Sequence, residues 1–359
     1  MYQKHGGVSR YFASIYENIK EKFNKNTRIT AFLYINSYLL AIRAKSGEGI
    51  YLDNRIQSDP IIFKSIKLIN SIREFFLLFF NPPDIHHMTY YDHIPWKLKK
   101  TKVVVSVYDM IHELFPDQFP DKVRLVKKKC IEGADLIICI SENTKSDLIR
   151  LLGIDEKKIQ VIYIGFKGFD LNNSISVNNL IGLSKPYILF VGQRSGYKNF
   201  DNLVKAFSSS ERLLQDYNLV CVGGGKFTKH EKDMFNEFNI SNKLYQIDAN
   251  DDMLQRCYQN ASLFVYPSLY EGFGIPPLDA MSCGTPVCCS NTSSLPEVVG
   301  DAAILFNPLN QEEIISAMLE VLNSTTKQEE LIEKGKLRIQ QFTWEKCASE
   351  TLEAYQSIL

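Results

Sequence analysis

Tyr266-Pro267-Ser268-Leu269-Tyr270-Glu271-Gly272-Phe273-Gly274-Ile275-Pro276-Pro277-Leu278-Asp279-Ala280-Met281 reads as a strand end, a glycine-bearing loop and a helix start. Leu263–Tyr266 is a short apolar run of β type, and Pro277 suits the first positions of the helix. In an open α/β sheet, ligands lie just outside the carboxyl ends of the strands, where helix N-termini offer N–H groups to phosphate. Gly272 and Gly274 allow close backbone approach. Glu271 stands before the loop and Asp279 inside the helix, so the two carboxylates can grip hydroxyls at two ends of a sugar-bearing ligand. Taken singly, each also fits a helix-start or solvent-facing acid.

A second strand-loop-helix unit is Phe190-Val191-Gly192-Gln193-Arg194-Ser195-Gly196-Tyr197-Lys198-Asn199. Two cations beside a helix start suit a diphosphate; alone, each is an ordinary surface cation.

Outward from these segments, β-rich runs alternate with helical stretches, which predicts parallel sheets. Strands are expected at Ile29–Leu33, Ile85–Met88, Val103–Val107, Leu136–Ile140, Gln160–Ile162, Tyr187–Val191, Leu219–Val222, Lys243–Ile247, Leu263–Tyr266 and Val287–Ser290. Helices are expected at Val8–Phe23, Val123–Gly133, Glu142–Leu152, Asn199–Ser208, Lys229–Phe238, Asp252–Asn260, Pro277–Cys283 and Gln311–Leu322. An Asn- and Ser-rich stretch divides the chain. The expected organisation is a domain over 1–168, a linker over 169–184, a second domain over 185–342 and a terminal helix over 343–359. At 359 residues the chain suits two domains.

The net charge is zero, which argues against a bulk nucleic-acid binder. It is unevenly placed: residues 1–168 hold 26 Lys+Arg against 18 Asp+Glu, a net +8, and the rest is −8. The basic half suits an anionic partner, a membrane surface or a phosphorylated substrate. Pro60–Phe80 is apolar with Lys64, Lys67 and Arg73 interspersed. It reads as a basic amphipathic helix on a membrane or as a helix packed on the sheet with its lysines in solvent, the commoner arrangement. Eight cysteines show no Cys-x-x-Cys pair and fit buried free thiols in a reducing compartment. The longest bare apolar run, Phe75–Phe80, falls far short of the roughly 20 residues of a spanning helix.

Together these segments resemble the retaining glycosyltransferases of GT-B fold, of the family 4 type among the group 1 glycosyltransferases. The family's glutamate–seven residues–glutamate signature appears as Glu271 and Asp279, followed by Ala280-Met281-Ser282-Cys283-Gly284-Thr285-Pro286-Val287 and Ser294-Leu295-Pro296-Glu297. The resemblance implies two Rossmann-like domains facing a cleft, with the C-terminal helix crossing back to the N-terminal domain. It implies that Glu271 holds donor-sugar hydroxyls, Asp279 holds the ribose, and Arg194 and Lys198 neutralise the diphosphate. Backbone N–H groups of Phe273 and Gly274, beside Gly272, would meet phosphate or sugar. Gly6 and Gly7 would face the donor across the cleft. Tyr108 and Asp109 occupy the loop that usually reads His-Asp and touches the reacting sugar.

Three departures stand out. Tyr108 replaces histidine, Asp279 replaces the second glutamate, and the strand that family members carry before the first Gly-Gly loop is not seen. His86 and His87 fit either a structural pair or an acceptor contact. His112 and Glu113 complete no metal motif, no Asp-x-Asp occurs, and Gly223-Gly224-Gly225 is a weak signal. The expected reaction is therefore metal-free transfer of a hexose from a nucleotide diphosphate sugar to a glycan or lipid-linked glycan in surface polysaccharide synthesis. No cofactor beyond that co-substrate is expected. The Gly-Gly-Val-Ser-Arg-Tyr start and the Arg194–Lys198 loop are similar to mannosyltransferases that use GDP-mannose. The expected place is the cytoplasm, with a peripheral contact to the anionic cytoplasmic face of the inner membrane. The rival readings are a catalytically impaired, transferase-like binding protein and another GT-B activity such as a sugar-nucleotide epimerase or a phosphorylase.

Overall fold

The computed structural model describes residues 7–23, 33–34, 40, 50–51, 60–88, 90–91, 101–169 and 185–359. Two dipeptide strands, β1 (Leu33–Tyr34) and β2 (Ile50–Tyr51), pair in parallel. The first large sheet has the order β3 (Ile85–Met88), β4 (Lys102–Val107), β5 (Leu136–Cys139), β6 (Ile159–Val161), all parallel. Leu136-Ile137-Ile138-Cys139 lacks polar alternation because β5 is covered on both faces, and all four residues are buried.

The second sheet is built from β7 (Tyr187–Val191), β8 (Asn218–Val222), β9 (Leu244–Ile247), β10 (Leu263–Tyr266), β11 (Val287–Ser290) and β12 (Ile304–Phe306). Its order is β12-β11-β10-β7-β8-β9, again all parallel. The chain moves outward from β7 in one direction through β8 and β9, then returns to β10 on its other side. Such a reversal opens a crevice at the carboxyl ends of the two central strands. Those ends carry the two segments singled out above.

Helices cover the first sheet at α1 (Gly7–Phe23), α2 (Pro60–Phe80), α3 (Ile111–Leu114), α4 (Asp121–Gly133) and α5 (Glu142–Leu152). The second sheet carries α6 (Phe200–Ser209), α7 (Glu211–Asp216), α8 (Lys229–Glu237), α9 (Asp251–Gln259), α10 (Ile275–Ser282), α11 (Leu295–Val299), α12 (Gln311–Leu322) and α13 (Thr325–Ile339). The helix starts follow cap chemistry. The Ser141 hydroxyl accepts the Thr144 N–H at the start of α5, and Gly153 closes that helix at φ +63°.

The last helix, α14 (Trp344–Gln356), crosses back onto α1. Cys347, Ala348 and Ala354 enter one apolar cluster with Tyr11, Ile15 and Ile19. A polar pin fastens it: His87 Nδ1 lies 2.6 Å from the Tyr355 hydroxyl and Nε2 lies 2.9 Å from Ser106 Oγ. Burial, with His86 alongside, lowers the His87 pKa to about 3, so the ring is a neutral structural element. Of the two readings open for this histidine, the geometry favours the structural one.

Two expectations fall mostly outside the described residues, and one changes. The linker region 169–184 lies outside the described residues except for Phe169. Ile29–Leu33 is described only at Leu33, inside β1. Helix α2 has the expected bounds, but its outward face is not the lysine face of a packed helix. Ile66, Asn70 and Leu78 are buried while Ile61, Leu68, Ile72, Phe76, Phe79 and Phe80 are exposed. All eight cysteines are free, and seven are buried, with Cys283 half-buried.

Candidate active site

The loops after β7 and β10 are stitched together by Asn199. It takes a left-handed φ of +57°, and its side-chain amide donates to the Pro267 carbonyl at 3.0 Å and the Pro308 carbonyl at 2.8 Å. The Leu269 N–H donates to the Tyr197 carbonyl at 2.7 Å. This brings Lys198 to Glu271. Its ammonium donates to Glu271 Oε1 at 2.7 Å and to the Tyr266 hydroxyl at 2.8 Å, and sits 5.2 Å from the Tyr197 and Tyr266 ring centroids. Glu271 is only 8% exposed. Its N–H donates to Ser293 Oγ at 2.9 Å, and the Ser294 hydroxyl donates to the carbonyls of Glu271 at 2.9 Å and Phe273 at 2.8 Å. A buried carboxylate in a salt bridge, on a loop fixed from behind, is a rigid acceptor for hydroxyls.

The first domain closes on this loop. A Cβ at Gly272 would fall inside van der Waals contact of the Tyr108 carbonyl oxygen, 2.9 Å from its carbon and 3.0 Å from Asp109 Cβ. A Cβ at Gly196 would meet the Gln118 side-chain amide in the same way. Gly274, at φ +121°, is the N-cap of α10, which opens at Ile275, two residues before the expected start. Phe273 is buried against Phe342, with ring centroids 5.3 Å apart. Tyr108 packs edge-on to Tyr11 at 5.8 Å, and burial raises its hydroxyl well above the usual phenol range. It packs at the position where the family loop usually reads histidine. Asp109 Oδ1 accepts the Ile111 N–H at 3.0 Å and lies 3.9 Å from His112 Nδ1. Lys127, fully buried, donates to the Asp109 carbonyl at 2.6 Å and to Glu113 Oε2 at 2.7 Å. His112 and Glu113 thus belong to the support of Asp109. Among the described residues, no group of three or more His, Cys, Asp or Glu is placed to hold a metal ion.

Asp279 lies one turn into α10. Burial pushes its pKa up to about 7; Arg10 from α1 works against that rise and Asp251 adds to it. An aspartate with a folded pKa raised from 3.8 binds its proton more tightly folded than unfolded. Ionisation therefore opposes folding, not at all below about pH 4 and fully above about pH 7. Asp279→Asn should raise the melting temperature at pH 8, by about 2–4 °C for each kcal/mol relieved, and leave it unchanged at pH 4. A melting temperature lowered at pH 8 would contradict this placement.

Arg194 differs from its expected role. It is 6% exposed, and its Nε donates to Glu231 Oε1 at 2.6 Å. Its Nη atoms reach the carbonyls of Gly223, Gly225 (2.9 Å) and Lys226 (3.2 Å). Gly223, Gly224 and Gly225 all take left-handed φ, and the guanidinium holds that bend. The Glu231 carboxylate and these carbonyls thus hold the guanidinium within the second domain, and Lys198 is the cation beside Glu271. Gly6 lies outside the described residues, and Gly7 begins α1. His86 faces Glu74 at 3.4 Å.

Two groups of contacts escaped sequence reasoning. Tyr270 donates to Asp147 Oδ2 at 2.9 Å, and Glu297 accepts the N–H groups of Glu142 and Asn143 at 2.9 Å each. Both join residues far apart in the chain, so no local spacing announces them.

The chain is similar to known proteins in sequence and in fold. The sequence model of the group 1 glycosyl transferases matches residues 171–338, and that of Glycosyltransferase Family 4 matches residues 45–167. The O-antigen chain mannosyltransferase B of Escherichia coli is 29% identical over 317 residues, covering 84% of this chain and 81% of that protein. Anabaena HepE, solved in complex with UDP and glucose, superposes with a TM-score of 0.73 at 15% identity, covering 99% of this chain and 97% of that one. WaaG, a glycosyltransferase involved in lipopolysaccharide biosynthesis, gives a TM-score of 0.70 at 15% identity, covering 98% and 96%.

Proposed function

From the premise that the chain belongs to the group 1, family 4 glycosyltransferases of GT-B fold, we propose that it transfers mannose from GDP-mannose to a glycan or lipid-linked glycan, with retention and without a metal. The observation that carries this reading is the Lys198–Glu271 ion pair at the carboxyl ends of the two central strands. The ammonium has three donors, two of which reach Glu271 and Tyr266. The third would meet a phosphate oxygen of the donor. Glu271 would accept from sugar hydroxyls and Asp279 from the ribose. Asp109 would face the anomeric carbon from the other domain.

In the step itself the acceptor hydroxyl oxygen bonds to the anomeric carbon as the bond from that carbon to the phosphate oxygen breaks. The acceptor proton passes to the departing phosphate. Charge grows on that phosphate, so a preorganised cation lowers the barrier. Contact between the domains at Gly272 would exclude water and limit hydrolysis. The intact Lys198–Glu271 pair favours turnover over the binding-protein alternative. The mannose assignment draws on the Escherichia coli mannosyltransferase relative.

Thermal shifts with GDP, UDP and ADP, each with EDTA, test the donor. GDP alone at a hundred times its dissociation constant should stabilise the fold by about 2.7 kcal/mol. A shift with UDP alone would replace the donor assignment.

Among the described residues no helix is long and apolar enough to cross a membrane. A peripheral contact is proposed through α2, whose outward Ile72, Phe76 and Phe79 are flanked by Lys64 in a half-chain of net +8. Flotation with anionic vesicles should be lost in Ile72→Glu/Phe76→Glu and weakened by salt. Equal flotation of the two proteins would remove α2 from this role.

A further inference from the structure

Ser294-Leu295-Pro296-Glu297 begins with the serine that holds the Glu271 loop and ends on a residue that spans the two domains. The Glu297 carboxylate lies against the first turn of α5. Oε2 accepts the Glu142 N–H and Oε1 the Asn143 N–H, each at 2.9 Å, and the Tyr163 hydroxyl donates to Oε2 at 3.1 Å. The first N–H groups of a helix have no partner within it, and the positive end of the helix favours an anion there. Here the anion comes from the other domain. Burial and Glu297 itself push the Tyr163 pKa up to about 12, so its hydroxyl remains a donor.

The segment is stiff on its own side. The Arg338 Nε donates to the Val298 carbonyl at 2.8 Å, and its Nη2 reaches the Glu297 carbonyl. Three and four residues earlier, Ser294 and Ser293 hold the backbone of Glu271 and Phe273. The other flank of the sugar loop is tied to the same helix: the Tyr270 hydroxyl donates to Asp147 Oδ2 at 2.9 Å, and Asn143 Nδ2 donates to that hydroxyl at 3.3 Å. Helix α5 therefore grips the Glu271 loop from both sides, through Tyr270 directly and through Glu297 by way of the two serines.

We infer that Glu297 is a positioning residue for glycosyl transfer: its carboxylate, seated on the N-terminus of α5, holds the two domains together and so aligns the Glu271 loop with Asp109 of the first domain. The proposal rests on the transferase reading of the site. It gives closure a catalytic consequence, because release of Glu297 would part the rigid Glu271 loop from Tyr108 and Asp109 of the first domain.

Two variants approach the contact from opposite domains. Glu297→Gln places an amide against the two N–H donors. Glu142→Pro removes one of those donors at the first helical position, where proline is well tolerated. Small-angle scattering of the full chain, which needs no donor sugar, should give a larger radius of gyration for each variant than for the parent. With donor and acceptor, kcat should fall about tenfold to a hundredfold with KM for the donor nearly unchanged, the pattern of a misaligned rather than an unbound substrate. The fraction of donor lost to water should rise. The double variant should be no worse than the more damaged single one, since both break one interaction. An unchanged radius of gyration in both variants, or a kcat equal to the parent's, would overturn the proposal. Expansion of both variants with no transfer by any protein, the parent included, would uphold the latch and count against the transferase reading instead.

Discussion

Gly272→Ala is expected to abolish transfer while sparing nucleotide binding. The added methyl would enter the Tyr108 carbonyl and press on Asp109 Cβ, both backbone-anchored atoms of the other domain. Neither can swing aside as a flexible side-chain end could. The domains would stand apart by the width of a methyl group, and a misplacement near 1 Å costs about a hundredfold in rate. The expected loss in kcat/KM is therefore at least about a hundredfold. The atoms nearest to that methyl belong to the first domain and not to the β7 loop, so the Kd for the nucleotide should stay within about threefold, a change below 1 kcal/mol. Titration calorimetry and an initial-rate assay on one preparation separate the two. Near-normal turnover would mean that the Tyr108–Gly272 contact is not part of the reacting state.

Lys198→Ala carries the second large effect. The ammonium is mostly buried, with its carboxylate partner at 2.7 Å. Its removal deletes the cation proposed to meet the departing phosphate, and loss of one such preorganised donor costs about a hundredfold to a thousandfold in kcat. It also leaves Glu271 without its ion-pair partner, which lowers stability. The two consequences are told apart by Tyr266→Phe. That change removes the other group to which Lys198 donates but keeps the cation, so it should cost far less rate than Lys198→Ala. Equal losses in the two variants would assign the effect to packing of the loop rather than to charge.

The second domain was largely legible in the chain because its central strands are covered on both faces. Tyr187–Val191, Leu263–Tyr266 and Val287–Ser290 are unbroken β-rich runs with polar or glycine-bearing ends, and the strands have those bounds. The loop residues that follow two of them are short-range features, so Glu271, Lys198 and the glycines could be singled out locally. Helix α13 was not foreseen, since Leu331 and Gly335 are its buried residues and such a sparse pattern carries no helical stripe. Arg194 was assigned by its position in a loop, but its partner Glu231 lies 37 residues on, and no spacing rule connects them. Lys127 was not singled out, although its ammonium is buried and donates to the Asp109 carbonyl. Glu297 read as the end of a family motif, and only the meeting of two domains gives its carboxylate a partner. The pattern is physical. Periodicity and loop chemistry act over a few residues, whereas charge pairing and domain seams are settled by the assembled sheets.

The central proposal is that the Lys198–Glu271 site cleaves GDP-mannose without a metal. The most direct measurement is GDP release from GDP-mannose by the full chain in EDTA, with Glu271→Gln beside it. Steady GDP release by the parent, increased by a glycan acceptor and lost in the variant, is the expected result. No release by folded parent protein in EDTA, or equal release by both proteins, would contradict it.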